Sequence, residues 1–229
     1  MTGYESRLEH DCQKLVSFNR NVLKYEEQPV KIYFTDEEGA RRHYHPDILI
    51  TYRPDVLPAK NWKPILAEVK WRSDLFKDWA SLRPRLRAGR QHAREQGLDF
   101  AILTEHEIYT PYLTNAILLL ECMKCPVNDE DSRLLLDVLE TMGQADPNTL
   151  PHSITQDNFR KAELLTTLWQ LVADYKIWVD LEAPLTMRSR LRSLSQLRSG
   201  DREFLHHLPT GHARRLRWQA LRYYPHIEP

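Results

Sequence analysis

Pro46-Asp47, followed after twenty residues by Glu68-Val69-Lys70, is the arrangement in this 229-residue chain best suited to chemistry. Alternate side chains of a strand share a face, so Glu68 and Lys70 must point the same way while Val69 packs on the other side. Two carboxylates brought together from adjacent strands can hold a hard cation such as magnesium, which keeps waters for phosphate contact and for attack. The Lys70 ammonium can orient or help deprotonate the attacking water and neutralise charge growing on a scissile phosphate. Glu9, on a preceding helix, would add a ligand directly or through water. With two ions, one would activate the nucleophile and the other would support the departing 3′ oxygen. The expected reaction is phosphodiester hydrolysis. The plainer reading is a solvated strand end and a Pro-Asp turn. Context favours chemistry, because both acids sit at junctions with apolar strands and a basic helix follows.

The elements that must position these groups are legible as periodicities. Tyr4 to Asn19 predicts an amphipathic helix, with Leu8, Cys12, Leu15 and Phe18 on one stripe and Glu9 beside it. A short connection leads to Val30–Phe34, a turn at Asp36-Glu37-Glu38-Gly39, and a second strand from about Arg41 to Tyr52 interrupted by His45-Pro46-Asp47. The proline suggests an edge or a bulge. After a Pro-rich loop, Ile65 to Lys70 predicts a third strand. Leu75 to Gln96 predicts a basic helix broken or kinked at Pro84 and capped by Gly97, and Phe100–Thr104 a fourth strand. A crossover helix between the third and fourth strands makes them parallel neighbours. Pro111 to Cys122 resumes a helical pattern.

These elements predict an α/β fold, a mixed sheet flanked by helices, over residues 1–125. Residues 126–229 are expected to form a small, mainly helical, winged-helix-like domain. There, Glu130–Met142 and Asn158–Asp174 are expected as helices, Ile177–Leu181 as a strand and Thr186–Leu197 as a basic helix, with an Arg-rich, aromatic tail to Pro229.

The chain is formally neutral, but Lys plus Arg against Asp plus Glu is 19 to 18 over residues 1–128, 4 to 11 over 129–185 and 9 to 3 over 186–229. A polyanion suits the tail and the run Lys77, Arg83, Arg85, Arg87, Arg90 and Arg94, whereas the acidic middle suits a protein partner. On charge alone, Arg188, Arg190 and Arg192 are expected to contact DNA. Three cysteines argue against a disulfide framework, and with no secretory signal or apolar span the expectation is cytoplasmic residence. Cys122-x-x-Cys125 lacks two further soft ligands for zinc. His43 and His45 share a strand face near Asp47 but are a poor match to an oxygen-liganded cation. His206-His207 is weaker still. Trp62, Trp71 and Trp79 are expected to fill the core or its rim rather than stack on bases.

The chain resembles the TnsA endonuclease subunit of heteromeric cut-and-paste transposases, within the PD-(D/E)xK superfamily, and the resemblance implies a restriction-endonuclease-like core for residues 1–125. The likeness is carried by Glu5-Ser6-Arg7-Leu8-Glu9, Glu27-Gln28-Pro29, Tyr44 to Leu49, Glu68-Val69-Lys70 and Phe100 to Ile108, in family order and over about the first 125 residues. The remainder resembles the family's carboxyl-terminal domain more loosely. The resemblance places Glu9, Asp47, Glu68 and Lys70 at the catalytic positions, with Glu9, Asp47, Glu68 and the Val69 carbonyl as metal ligands. Some family members carry glutamine at the position of Glu68. Glu5 shares a helix face with Glu9, and the spacing to Glu27-Gln28-Pro29 favours Glu9. The resemblance implies Mg2+, two ions, with Mn2+ able to substitute. It also implies cleavage of the 5′ strand at transposon ends, beside a DDE-type transposase (TnsB-like) and an AAA+ ATPase regulator (TnsC-like), in a bacterial cytoplasm. Two other readings stand: an autonomous restriction- or repair-type nuclease, and a catalytically silent DNA-binding adaptor.

Overall fold

The computed structural model describes residues 5–55 and 62–196. Contacts divide the chain into two compact units between Tyr109 and Thr110.

The first unit begins with α1 (Glu5–Phe18), where Leu8, Cys12, Leu15 and Val16 are buried at helical spacing. Then come β1 (Val22–Glu27), β2 (Ile32–Thr35), β3 (Arg41–Tyr44), β4 (Ile48–Tyr52), β5 (Ile65–Val69), α2 (Arg72–Lys77), α3 (Trp79–Glu95), β6 (Asp99–Leu103) and α4 (Glu105–Ile108). The main sheet has the order β1-β4-β5-β6, with β1/β4 and β4/β5 antiparallel and β5/β6 parallel. The expected parallel pair joined through a helical crossover is therefore present, in a mixed sheet flanked by helices. Leu66 packs with Tyr44 and with Ala93 of α3, while Ile48 and Val69 turn to the α1 side, so the two helices cover opposite faces.

Three expectations change here. Val22–Glu27, read as a connection, is an edge strand; its charges are exposed and a register shift interrupts its pairing near Leu23, so it lacks the alternation that marks a half-buried strand. The expected strand Arg41–Tyr52 is two strands in different sheets. Among the described residues β3 pairs with β2 alone, and β4 enters the main sheet after Pro46, which cannot donate to a ladder. The helical break falls at Asp78, between α2 and α3, while Pro84 sits inside continuous α3. Pro84 lies near the helix start and forfeits a single backbone bond, which the packing of Leu82, Leu86, Gly89 and Ala93 outweighs.

The second unit contains α5 (Pro111–Cys122), α6 (Asp129–Met142), β7 (Gln144–Ala145), α7 (Thr149–Ile154), α8 (Asn158–Ala173), β8 (Ile177–Trp178) and β9 (Leu191–Ser193), with a small antiparallel sheet β7-β9-β8. Helix α5, read from the sequence as the end of the first domain, packs against α8 in this unit. The Asn128 side chain accepts the Glu130 and Asp131 N–H groups at the start of α6, and Asp157 accepts that of Arg160 at the start of α8. Helix α8 is central: α5, α6 and α7 pack on it, and Leu164, Leu168, Leu171 and Val172 are buried. Asp131, 2% exposed, is ion-paired with Arg160. The expected helix Thr186–Leu197 is instead a loop, strand β9 and a short 3-10 turn at Leu194–Gln196. Leu191 and Ser193 point inward on alternate residues, and this period-two burial decided the local structure. The tail beyond residue 196, including His206 and His207, lies outside the described residues.

Candidate active site

Pro46 ends the hairpin segment and delivers Asp47 to the mouth of β4. The register pairs Ile48 with Ala67, which sets Asp47 opposite Glu68 at the far end of β5. Asp47 Oδ2 accepts the Val69 N–H at 2.6 Å, and the Asp47 carbonyl accepts the Gln28 N–H at 3.0 Å. Gln28 holds φ at 45°, a left-handed conformation rare for a residue with a side chain, and it ends β1 against the site. Asp47, Ile48 and Val69 from the sheet meet Glu9, Cys12 and Gln13 from α1, and Glu27 and Gln28 from the end of β1, around a cavity of about 30 Å³. That volume is enough for a water molecule or two. Burial, then the Asp47 and Glu9 carboxylates, push the Cys12 thiol up to about 12.

Glu68 sits on the other face of β5. It is 2% exposed, and its Oε1 accepts Arg85 Nη2 of α3 at 2.9 Å. The Arg85 guanidinium lies 6.0 Å from the centre of the Tyr44 ring. The Tyr44 hydroxyl is buried without a hydrogen bond, pressed against Gly89 of α3. Burial, then the nearby Glu68 charge, hold the Tyr44 phenol well above its ordinary range. Lys70 is half-buried one residue beyond β5, where its N–H donates to the Leu103 carbonyl at 2.9 Å and continues the parallel ladder.

The structure thus brings Glu9, Asp47 and Val69 to one cavity, and places Glu68 across the strand from it, paired with Arg85. The donors suit a hard cation in kind, since the carboxylates of Glu9, Glu27 and Asp47 line the cavity. Among the described residues, however, no three acidic, histidine or cysteine side chains converge closely enough to hold an ion.

Sequence reasoning did not place Glu27, Gln28, Gln13 or Cys12 at the cavity, nor Arg85 and Tyr44 beside Glu68. The Glu27-Gln28-Pro29 run was a signal for the first pair; nothing local ties Arg85 to a residue seventeen positions earlier. His43 and His45 are exposed, with ring centres 6.1 Å apart. Trp62 packs edge-on against Tyr52, Trp71 lies beside Tyr109, and Trp79 packs on the cluster of Leu75, Leu82 and Leu86. The Cys122 and Cys125 carbonyls accept Gln170 Nε2 at 3.1 and 2.9 Å, so the C-x-x-C turn is anchored to α8 through its backbone. Arg188 and Arg190 are exposed, and Arg192 lies over the Trp178 ring.

No curated relative matches the chain. Residues 19–105 match the family described as TnsA-like endonuclease N terminal, a span that contains Asp47, Glu68, Val69 and Lys70 and begins after Glu9. Over these residues, with their mixed sheet, the chain is similar to the TnsA-like endonuclease N-terminal family.

Proposed function

We propose that the protein is a divalent-metal-dependent DNA endonuclease that hydrolyses the 5′, non-transferred strand at transposon ends as one subunit of a heteromeric transposase. The observation that carries this reading is the antiparallel register of β4 and β5, which sets Asp47 opposite Glu68 with Lys70 one step beyond, inside the matched span. Glu9, Asp47 and Glu68, with the Val69 carbonyl, would hold Mg2+ in one or two positions, with Mn2+ able to replace it. A bound ion would supply an activated water and charge neutralisation at the phosphate. Asp47 orients its carboxylate through the Val69 N–H. Lys70, one residue beyond β5, would supply an ammonium to order a water and offset phosphate charge.

The partners in this reading are duplex DNA, a DDE-type transposase and an AAA+ ATPase regulator, in the cytoplasm. Among the described residues no helix is long and apolar enough to cross a membrane. We assign the second unit a winged-helix-like order, helix, strand, two helices and two strands, on α6 to β9. In such a unit α8 would read a groove, yet α5, α6 and α7 enclose it. Together with the acidic charge of residues 129–185, this favours a protein partner for the unit.

The test is Mg2+-dependent nicking of a labelled transposon-end duplex, with and without the partner transposase, comparing wild type with Asp47→Ala and Lys70→Ala. Cutting that needs metal, partner and both residues is expected. Cutting without the partner would establish an autonomous nuclease, and partner-dependent cutting that survives both substitutions would leave the two residues structural.

A further inference from the structure

Folding divides the basic run of α3 into two faces. Arg85 turns inward to Glu68, whereas Arg83, Arg87, Arg90 and Arg94 are all exposed. Each of these four directly follows one of the buried residues Leu82, Leu86, Gly89 and Ala93. The arginines therefore form a row of their own, within about 60° of one another round the helix axis and about 100° from the row seated on the sheet. The hairpin β2–β3 takes the other flank, where Ala88 packs on the cluster of Ile32 and Tyr44. The acid of this helix, Glu95, accepts Gln91 Nε2 at 2.9 Å. Arg85, near the start of α3, reaches Glu68 near the end of β5, so the row begins at the end of the sheet that carries Asp47 and Lys70 and runs away from it.

From Arg83 to Arg94 the row is about 16 Å long at the helical rise per residue. One strand of duplex DNA offers a phosphate about every 3.4 Å of axis, so about five phosphates lie alongside. Resting on the nuclease reading above for the nature of the polymer, we propose that Arg83, Arg87, Arg90 and Arg94 form a track for the phosphate backbone of the duplex that flanks the cleaved position, gripping it without reading its sequence. The planar guanidinium suits a phosphate oxygen pair better than an ammonium does.

Fluorescence anisotropy of a labelled duplex with the full chain in EDTA, across a salt series, tests this. Arg83→Gln/Arg87→Gln/Arg94→Gln is expected to flatten the slope of log affinity against log salt by about 3, close to one for each phosphate contact removed. Glutamine forms helix about as well as arginine, and the corresponding triple lysine variant, which keeps the charge, should keep the wild-type slope. Lys124→Gln/Arg133→Gln/Lys176→Gln removes the same charge from exposed positions of the second unit and should leave the slope unchanged. An unchanged slope in the glutamine row variant, an equal loss in the second-unit control, or a loss in the lysine variant as large as with glutamine would overturn the track. So would a row variant that loses only its binding to polyglutamate, which would mark the row as a seat for an acidic protein. Mg2+-dependent nicking by the same proteins beside the partner transposase is scored separately, so the track can fail while the nuclease reading stands, and a wild type that neither binds nor nicks duplex overturns both.

Discussion

Gly89→Ala is a one-carbon change with a large calculable consequence. A Cβ at this position would overlap the Tyr44 hydroxyl oxygen and lie 2.9 Å from Cε2 of Phe100 and 3.2 Å from Cζ of Tyr44. The hydroxyl cannot simply swing aside, because Tyr44 is 8% exposed and its ring packs edge-on against Phe34 at 6.0 Å, between the β2–β3 hairpin and α3. Overpacking of this kind costs up to about 3 kcal/mol, and the better helix propensity of alanine returns about 1 kcal/mol, so the net loss is roughly 2 kcal/mol. Tyr44→Phe removes the closest atom. Since that hydroxyl is buried without a partner, deleting it relieves a desolvation cost of about 1 kcal/mol, and the single variant should be at least as stable as wild type. The double variant should then recover most of the loss, with a coupling of about 1–2 kcal/mol, while the remaining Phe100 contact keeps it just below Tyr44→Phe. Urea unfolding of the four proteins, followed by circular dichroism, measures the cycle. Additivity within about 0.5 kcal/mol, or a Gly89→Ala protein as stable as wild type, would refute the claim that α3 is seated by Tyr44 against a bare α-carbon.

Two other outcomes are accessible with the same protein. Asn115 of α5 donates to the Leu181 and Ala183 carbonyls at 2.9 and 2.8 Å and accepts the Leu185 N–H at 3.0 Å, so Asn115→Ala frees a loop from three bonds and should cost about 2–4 kcal/mol, read as a lowered thermal midpoint; an unchanged midpoint would deny this clip. Alkylation at pH 8 should modify exposed Cys125 quickly and leave buried Cys12 untouched, since its thiol, pushed up to about 12, stays protonated at that pH; rapid labelling of Cys12 by mass spectrometry would contradict the enclosed site.

What the sequence determined by itself is what local periodicity and local chemistry can encode. The burial stripe of α1, the alternation of β5, the order of elements that forces β5 and β6 to be parallel, and the helices Asp129–Met142 and Asn158–Ala173 all follow from residue spacing. So does the place of Asp47 at the start of β4, because Pro46 halts one strand just where the apolar run of the next begins. Tertiary structure decided the rest. Val22–Glu27 is a strand because β4 offers it an edge, and Leu191–Ser193 is extended because β7 and β8 flank it; neither segment carries a period of its own strong enough to say so. Whether the site's acids meet is likewise non-local. Glu9 and Asp47 share a cavity because α1 packs on the face of the sheet that Ile48 and Val69 present, whereas Glu68, one residue from Val69, faces the other side, and only the folding of α3 across β5 brings Arg85 within 2.9 Å of it.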